Sequence, residues 1–239
     1  MKNSLPAHIY KYVNFESLCA ILTTKTLSFK SPKDFNDPFE GKFYNKSVVQ
    51  HNVEQLLASQ PEHIRKIFQG SSFLLQHHQM LSFFEYLINQ NGYSCFSKNC
   101  DDLLMWAHYS YSHFGACIKF NTQRLQQIFP IIREIKYSNN YEDLNMYDDL
   151  NIAFNNIPFR KSLHWKYEQE IRVKSDKPGK ISFDADCIEE VILGVNFRPT
   201  FEIFEKIVNE DKSLKFKISC MHTSGYEYKI QNNMTVNFT

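Results

Sequence analysis

The sequence predicts an α+β domain built on a mixed, mostly antiparallel sheet. Three observations carry this. In the last third of the chain, strand-like runs outnumber helical ones and are joined by short connections, which suit antiparallel neighbours better than parallel crossovers. The strongest helical periodicity is gathered in one block, about Asn45 to Asn91, as expected of an inserted cap. Glycine is scarce, at 7 residues, and no GxGxxG or GxxxxGK[ST] occurs, so Rossmann and P-loop architectures are set aside.

Element by element, His8 to Val13 alternates polar and apolar residues and reads as a strand. Phe15 to Thr24 follows as a helix with Leu18, Ile21 and Leu22 on one face. A strand over Leu27 to Lys30 leads into SPKDFNDPFEG, where Asn36-Asp37-Pro38 is a turn signal. After the helical block come a strand at Gly92 to Ser97, a helix opened by Asp101 and Asp102, and a strand at Gly115 to Phe120. Ser138 to Asn156 is polar and weakly patterned. Beyond it, strands are expected at Trp165–Lys174, Ile181–Phe183, Ile188–Leu193, Leu214–Cys220 and Tyr226–Val236, with a helix at Phe201–Asn209.

The 239 residues are read as one domain, 1–239, with 43% hydrophobic and 22% charged residues, an ordinary globular balance. No apolar run approaches the ~18 residues of a membrane span, and the first ten residues lack the apolar core of a signal peptide. A cytosolic (cytoplasmic) protein with no membrane association is therefore expected. A net charge of +1 exerts no global pull on nucleic acid, so partners must be read from sites. The six cysteines show no CxxC spacing, and His77 and His78 point ~100° apart on a helix, so no metal is expected.

Two stretches could carry chemistry. If Trp165 to Arg172 is extended, Glu168, Glu170 and Arg172 share one face, a row suited to general-base work or to stabilising positive charge; a solvated edge strand explains the same spacing. On the helix after Asp102, Trp106 and Tyr109 share a face and could form a flat wall for a nucleotide ring, with His108 and His113 nearby. The same pair could equally be core anchors. His8, Tyr10 and Tyr12 line one face of the first strand.

YKY at Tyr10 to Tyr12, LSFKSPKDFNDPFE ending at Glu40, CFS at Cys95 to Ser97 and LLMWAHYSYSHFGACIKF from Leu103 to Phe120 form an ordered set. Lys161, WKYEQEIR from Trp165 to Arg172 and ILG at Ile192 to Gly194 complete it. Together they resemble a bacterial family, domain-of-unknown-function family 2971, over nearly the whole chain apart from the helical block. The order of parts is in turn similar to the ADP-ribosyltransferase-like fold.

That resemblance implies an NAD-using enzyme, a transferase or an NAD glycohydrolase, serving as a toxin or phage-defence effector. It implies Glu170 as the catalytic carboxylate and Glu168 as the group that orients the ribose or the acceptor. Tyr10 or Tyr12 would hold the adenosine ribose, Asn36 and Asp37 would rim the pocket, and Trp106 and Tyr109 would flank a ring. His108, His113 or Arg172 would meet the pyrophosphate. The first strand departs from the pattern, because a tyrosine stands where a histidine or arginine is expected and His8 lies two residues early. Two other classes stay open: a non-catalytic nucleotide-sensing or interaction module, and a metal-dependent nuclease or hydrolase using Asp37, Glu168 and Glu170. The acceptor and the oligomeric state are left open.

Overall fold

The computed structural model describes residues 5–41, 57–67, 69, 73–139, 155–197, 201–224 and 227–231. Strand β1 (His8–Val13) enters helix α1 (Phe15–Thr24) through Asn14, whose side-chain oxygen accepts the Ser17 N–H and caps the helix. The helix ends at Lys25, which adopts the left-handed region at φ 50, and β2 (Thr26–Phe29) follows. Helices α2 (Glu62–Ile67) and α3 (Phe73–Asn89) fall within the expected insertion, of which residues 45–56, 68 and 70–72 lie outside the described residues. Next come β3 (Gly92–Ser97), α4 (Leu103–Tyr109), β4 (Ala116–Asn121) and α5 (Thr122–Ile128). The short strands β5 (Ile132–Glu134), β6 (Lys136–Ser138) and β7 (Arg160–Ser162) precede β8 (Glu170–Ser175) and β9 (Gly179–Ser182). The described chain closes with β10 (Ile188–Leu193), α6 (Phe201–Glu210), β11 (Lys217–Ser224) and β12 (Glu227–Gln231).

Eight strands form one open sheet in the order β12-β11-β10-β4-β1-β3-β8-β5. Its pairings are antiparallel except β10 with β11, where α6 supplies the crossover that a parallel pair needs. The expected mixed, mostly antiparallel α+β architecture is therefore the observed one. Two small sheets, β2-β9 and β6-β7, stand beside it. Among the described residues, no helix is long and apolar enough to cross a membrane.

The alternation in β1 sorts the two faces. Ile9 and Val13 join Phe96, Ile118, Phe120, Ile171, Val173, Val191 and Leu193 in the main core, closed by Leu18 and Leu22 of α1 and Phe204 and Val208 of α6. On the opposite face, Tyr12, Cys117, Ile192 and Met221 pack against Met105 and Trp106 of α4. The sheet opens between its central strands. β1 pairs with β4 from His8↔Asn121 to Val13↔Ala116, but meets β3 only at Tyr10↔Ser97. In the gap, the Lys11 ammonium donates to Ser94 Oγ at 3.0 Å and to the Cys95 carbonyl at 2.9 Å, taking up an acceptor that strand pairing would otherwise satisfy.

One expectation fails in a way that matters for the site. Trp165 to Lys174 is not a continuous strand: Leu163–Glu168 is a 3-10 turn, Gln169 sits in the left-handed region at φ 43, and extended backbone begins at Glu170. The Ser162 hydroxyl accepts the His164 N–H at the start of the turn, and the Tyr137 hydroxyl accepts the Glu170 N–H at its end. Helix α5 and strands β5 to β7 were not expected, and β11 begins at Lys217 rather than Leu214. Most of the polar segment Ser138 to Asn156 lies outside the described residues.

Candidate functional site

The register of the large sheet builds the floor of a cleft. Tyr10 lies opposite Ser97, and Ser97 opposite Glu170, so the three form a row across β1, β3 and β8. One step along, Cys95 lies opposite Arg172, on the same face. The cleft of about 90 Å³ is lined by Tyr10, Tyr12, Cys95, Ser97, Glu170 and Arg172 from these strands. Tyr109 of α4, Lys161 of β7, Glu168 of the 3-10 turn, and Phe35, Asn36 and Glu40 of the loop after β2 complete it, with Phe96 and Met105. That loop is tied to the end of α3, where Asn89 accepts from the Ser31 hydroxyl and the Lys33 N–H. Gly41 has φ 68, and a Cβ there would lie 2.6 Å from Cβ of Pro32, so the turn that holds Glu40 requires glycine.

Five buried charges meet at one end of the cleft. Arg172, 1% exposed, donates from Nε to Glu170 Oε1 at 2.6 Å and from Nη2 to Glu40 Oε2 at 2.6 Å, and from Nη1 to the Pro158 carbonyl at 2.5 Å. Its guanidinium lies against the Phe35 ring. Lys161 reaches all three carboxylates: Glu168 Oε2 at 2.5 Å, Glu170 Oε2 at 3.2 Å and Glu40 Oε1 at 3.3 Å. The Tyr109 hydroxyl donates to Glu168 Oε1 at 2.5 Å and accepts from the Asn36 side chain. Counted as groups, three carboxylates meet two cations in these contacts, one carboxylate in excess.

The three glutamates titrate differently because their partners differ. Burial works to raise the Glu170 pKa, but Arg172 and Lys161 outweigh it and hold it down at about 2. At Glu40 burial prevails over Arg172 and Lys161, and at Glu168 over Lys161 and the Tyr109 hydrogen bond, so both pKa values are raised. Burial pushes down the Lys161 pKa, yet the glutamates overcome this and raise it. Burial also raises the Cys95 thiol, which hydrogen-bonds to Glu170, and Glu170 adds to that shift.

These opposed shifts predict a stability maximum in mildly acid solution. Glu170 contributes stability above the unfolded-state value of ~4.3, and this is lost as the pH falls toward about 2. Glu40 and Glu168 act in the opposite sense, contributing below ~4.3 and losing that contribution as the pH rises through their elevated values. Urea midpoints across the pH range should therefore fall on both sides of the maximum. In the double variant Glu40→Gln, Glu168→Gln the decline on the higher-pH side should flatten; an unchanged profile would refute the assignment.

The structure brings together seven of the residues that the sequence singled out: Tyr10, Tyr12, Asn36, Tyr109, Glu168, Glu170 and Arg172. Five others do not line the cleft. Asp37 is buried under its own loop, with Oδ1 accepting the Phe39 N–H. Trp106 is 0% exposed, donates its indole N–H to the Cys100 carbonyl and meets the Tyr12 ring edge-on at 5.3 Å, so it is a core anchor. His108 is exposed beside Tyr167, and His113 sits in a turn whose carbonyl accepts the Asn196 N–H. His8 faces Glu189 at 2.8 Å instead of the cleft. Glu40 and Lys161 are the residues that patterning missed, although both stand in the stretches that carry the family resemblance.

Residues 105–173 match the family model described as Protein of unknown function (DUF2971). The chain is similar to DUF2971 over that stretch, which supplies Tyr109, Lys161, Glu168, Glu170 and Arg172. Tyr10, Tyr12, Asn36 and Glu40 come from outside the DUF2971 match, so the cleft joins matched and unmatched parts of the chain. No curated protein and no solved structure matches. Among the described residues, no group of three His, Cys, Asp or Glu side chains is placed to hold a metal ion. The carboxylates are instead bridged by Lys161 and Arg172.

Proposed function

We propose that the cleft binds the ribose end of a nucleotide of the NAD type and that the chain is an ADP-ribosyltransferase-like enzyme cleaving the N-glycosidic bond, with a second molecule or water as acceptor. The observation that carries this reading is the excess of one carboxylate over the cations at the buried end of a cleft flanked by Tyr10 and Tyr12. In an NAD-type nucleotide the nicotinamide ring carries the positive charge, and cleavage of its glycosidic bond moves that charge onto the sugar, where a fixed negative charge held out of water stabilises it more than it does the ground state.

Glu170, kept ionised by Arg172 and Lys161, supplies the fixed charge, and Glu168 accepts from the sugar. The cavity of about 90 Å³ is smaller than the ~300–1,000 Å³ of sites that engulf a whole ligand, so a sugar-sized part enters and the remainder lies outside. The nicotinamide would leave with the bonding electron pair while the sugar passes to the acceptor. No metal takes part in this scheme.

The test is release of free nicotinamide from NAD by purified protein, with NAD affinity measured in parallel. Wild type should bind and release it, and Glu170→Gln should lower the rate by ~10²–10³-fold, the usual loss for one electrostatic stabiliser. Absence of both binding and release would overturn the reading.

A non-catalytic nucleotide module has one observation in its favour. Both oxygens of Glu170 and of Glu168 already have donors within the protein, as in a structural cluster. Binding without release by wild type would select it.

A further inference from the structure

Glu40 is the member of the cluster whose hydrogen bonding is incomplete. Its Oε2 accepts from Arg172 at 2.6 Å, whereas Oε1, on a side chain 2% exposed, has no hydrogen-bond partner and lies 3.3 Å from the Lys161 ammonium. A buried carboxylate oxygen without a donor costs free energy, and such exceptions call for an explanation in function. Glu40 lines the cleft, so a donor entering there can supply what Oε1 lacks.

The geometry narrows what that donor belongs to. Lys161 holds Glu168 Oε2 at 2.5 Å and Glu40 Oε1 at 3.3 Å, so these two oxygens can be no farther apart than those two contacts laid end to end. A hydroxyl hydrogen bond spans ~2.7–2.8 Å, so two neighbouring hydroxyls on one ring can reach both carboxylates at once. The cavity is small enough for a pentose, and Tyr10 and Tyr12 border it with rings rather than charges. Glu40 approaches from the loop after β2 and Glu168 from the turn before β8, so the two acceptors face the cleft from different elements.

We propose that Glu40 and Glu168 together recognise the cis-diol of a ribose, with Glu40 Oε1 accepting one hydroxyl and Glu168 the other, so that the cleft selects ribosides over deoxyribosides. The proposal rests on the nucleotide reading for the identity of the larger ligand, but the diol subsite is defined by the carboxylates alone. Glu40 is then a specificity-determining residue, and its Oε1 gains in the complex the donor it lacks here.

The experiment crosses protein variants with ligand variants. NAD is titrated by calorimetry against its analogues lacking the 2′- or the 3′-hydroxyl on the nicotinamide ribose, with wild type and Glu40→Gln. Wild type should bind each deoxy analogue ~10–100-fold more weakly, the effect of losing a hydrogen bond to a charged group. Glu40→Gln should weaken NAD to a similar degree and abolish the penalty for one of the two analogues, the one whose missing hydroxyl meets Glu40. Equal affinity of wild type for all three ligands would overturn the proposal, as would a Glu40→Gln variant that keeps both penalties. Should Glu40→Gln fail to fold, Glu40→Asp, which keeps the charge and withdraws it by one methylene, takes its place in the cycle.

If wild type does not bind NAD, the nucleotide reading fails, and the subsite is tested directly with millimolar D-ribose and 2-deoxy-D-ribose. Shifts of the Tyr10 and Tyr12 ring resonances with ribose alone would uphold the diol subsite. No shift, or equal shifts with both sugars, would overturn it.

Discussion

Replacing Arg172 by methionine is expected to lower the unfolding free energy by ~3–5 kcal/mol, the range for breaking a buried ion pair from one side. Arg172 is fully enclosed and bridges Glu170, Glu40 and the Pro158 carbonyl. Without it, three buried carboxylates keep Lys161 as their cation, and two of them lose their best donor. The loss is thus a penalty for stranded charge, and it should depend on pH in a defined sense. The folded-state pKa values of Glu170 and Glu40 rise when Arg172 is removed, so above ~4.3 the folded protein binds more protons than the unfolded chain, and stability climbs as the pH falls. Wild-type Glu170 acts in the opposite direction below that value. Adding Glu170→Gln to Arg172→Met should recover part of the loss, so the two substitutions are non-additive. Urea denaturation of the four proteins at two pH values measures all of this; additive losses, or a cost under ~1 kcal/mol, would show that the cluster is not coupled as described.

The sequence reached this cluster by a partly mistaken route. Treating Trp165 to Lys174 as one strand put Glu168, Glu170 and Arg172 on one face, and these side chains do converge. The geometry that brings them together is different. Glu168 closes a 3-10 turn, Gln169 reverses the backbone, and only Glu170 and Arg172 share a strand face. A glutamine in the left-handed region has no compositional signature, whereas glycine or asparagine there would have marked the break. The legible trace was Ser162, two residues before His164, which caps the turn.

Glu40 shows a second kind of limit. Its bond to Arg172 joins residues 132 positions apart, and periodicity carries no information at that range. The loop motif around Asn36-Asp37-Pro38 correctly marked a turn, but it gave no sign that Asp37 would fold under the loop while Glu40 turned into the cleft. Local rules succeeded where one element decides its own conformation. The Asn14 cap, the alternation of β1 and the helix opened by Asp102 were all legible, since each depends on neighbours a few residues away.

Trp106 separates packing from ligand stacking. Trp106→Ala should cost ~3–5 kcal/mol, the range for deleting a large buried aromatic, because the indole is wholly enclosed among Tyr12, Met105, Cys117, Ile192 and Met221. Trp106→Phe keeps an aromatic edge for Tyr12 but leaves the Cys100 carbonyl without the indole N–H that it accepts at 2.8 Å, and should cost ~1–3 kcal/mol. The order of the two losses, read from thermal or urea unfolding, is the test. A residue whose main role is to stack on a ligand ring gives the reverse pattern, with stability nearly intact and NAD affinity sharply reduced. The buried indole beside Tyr12 predicts instead that the tryptophan acts on the cleft through the strand beneath it, by holding the Tyr12 ring in place.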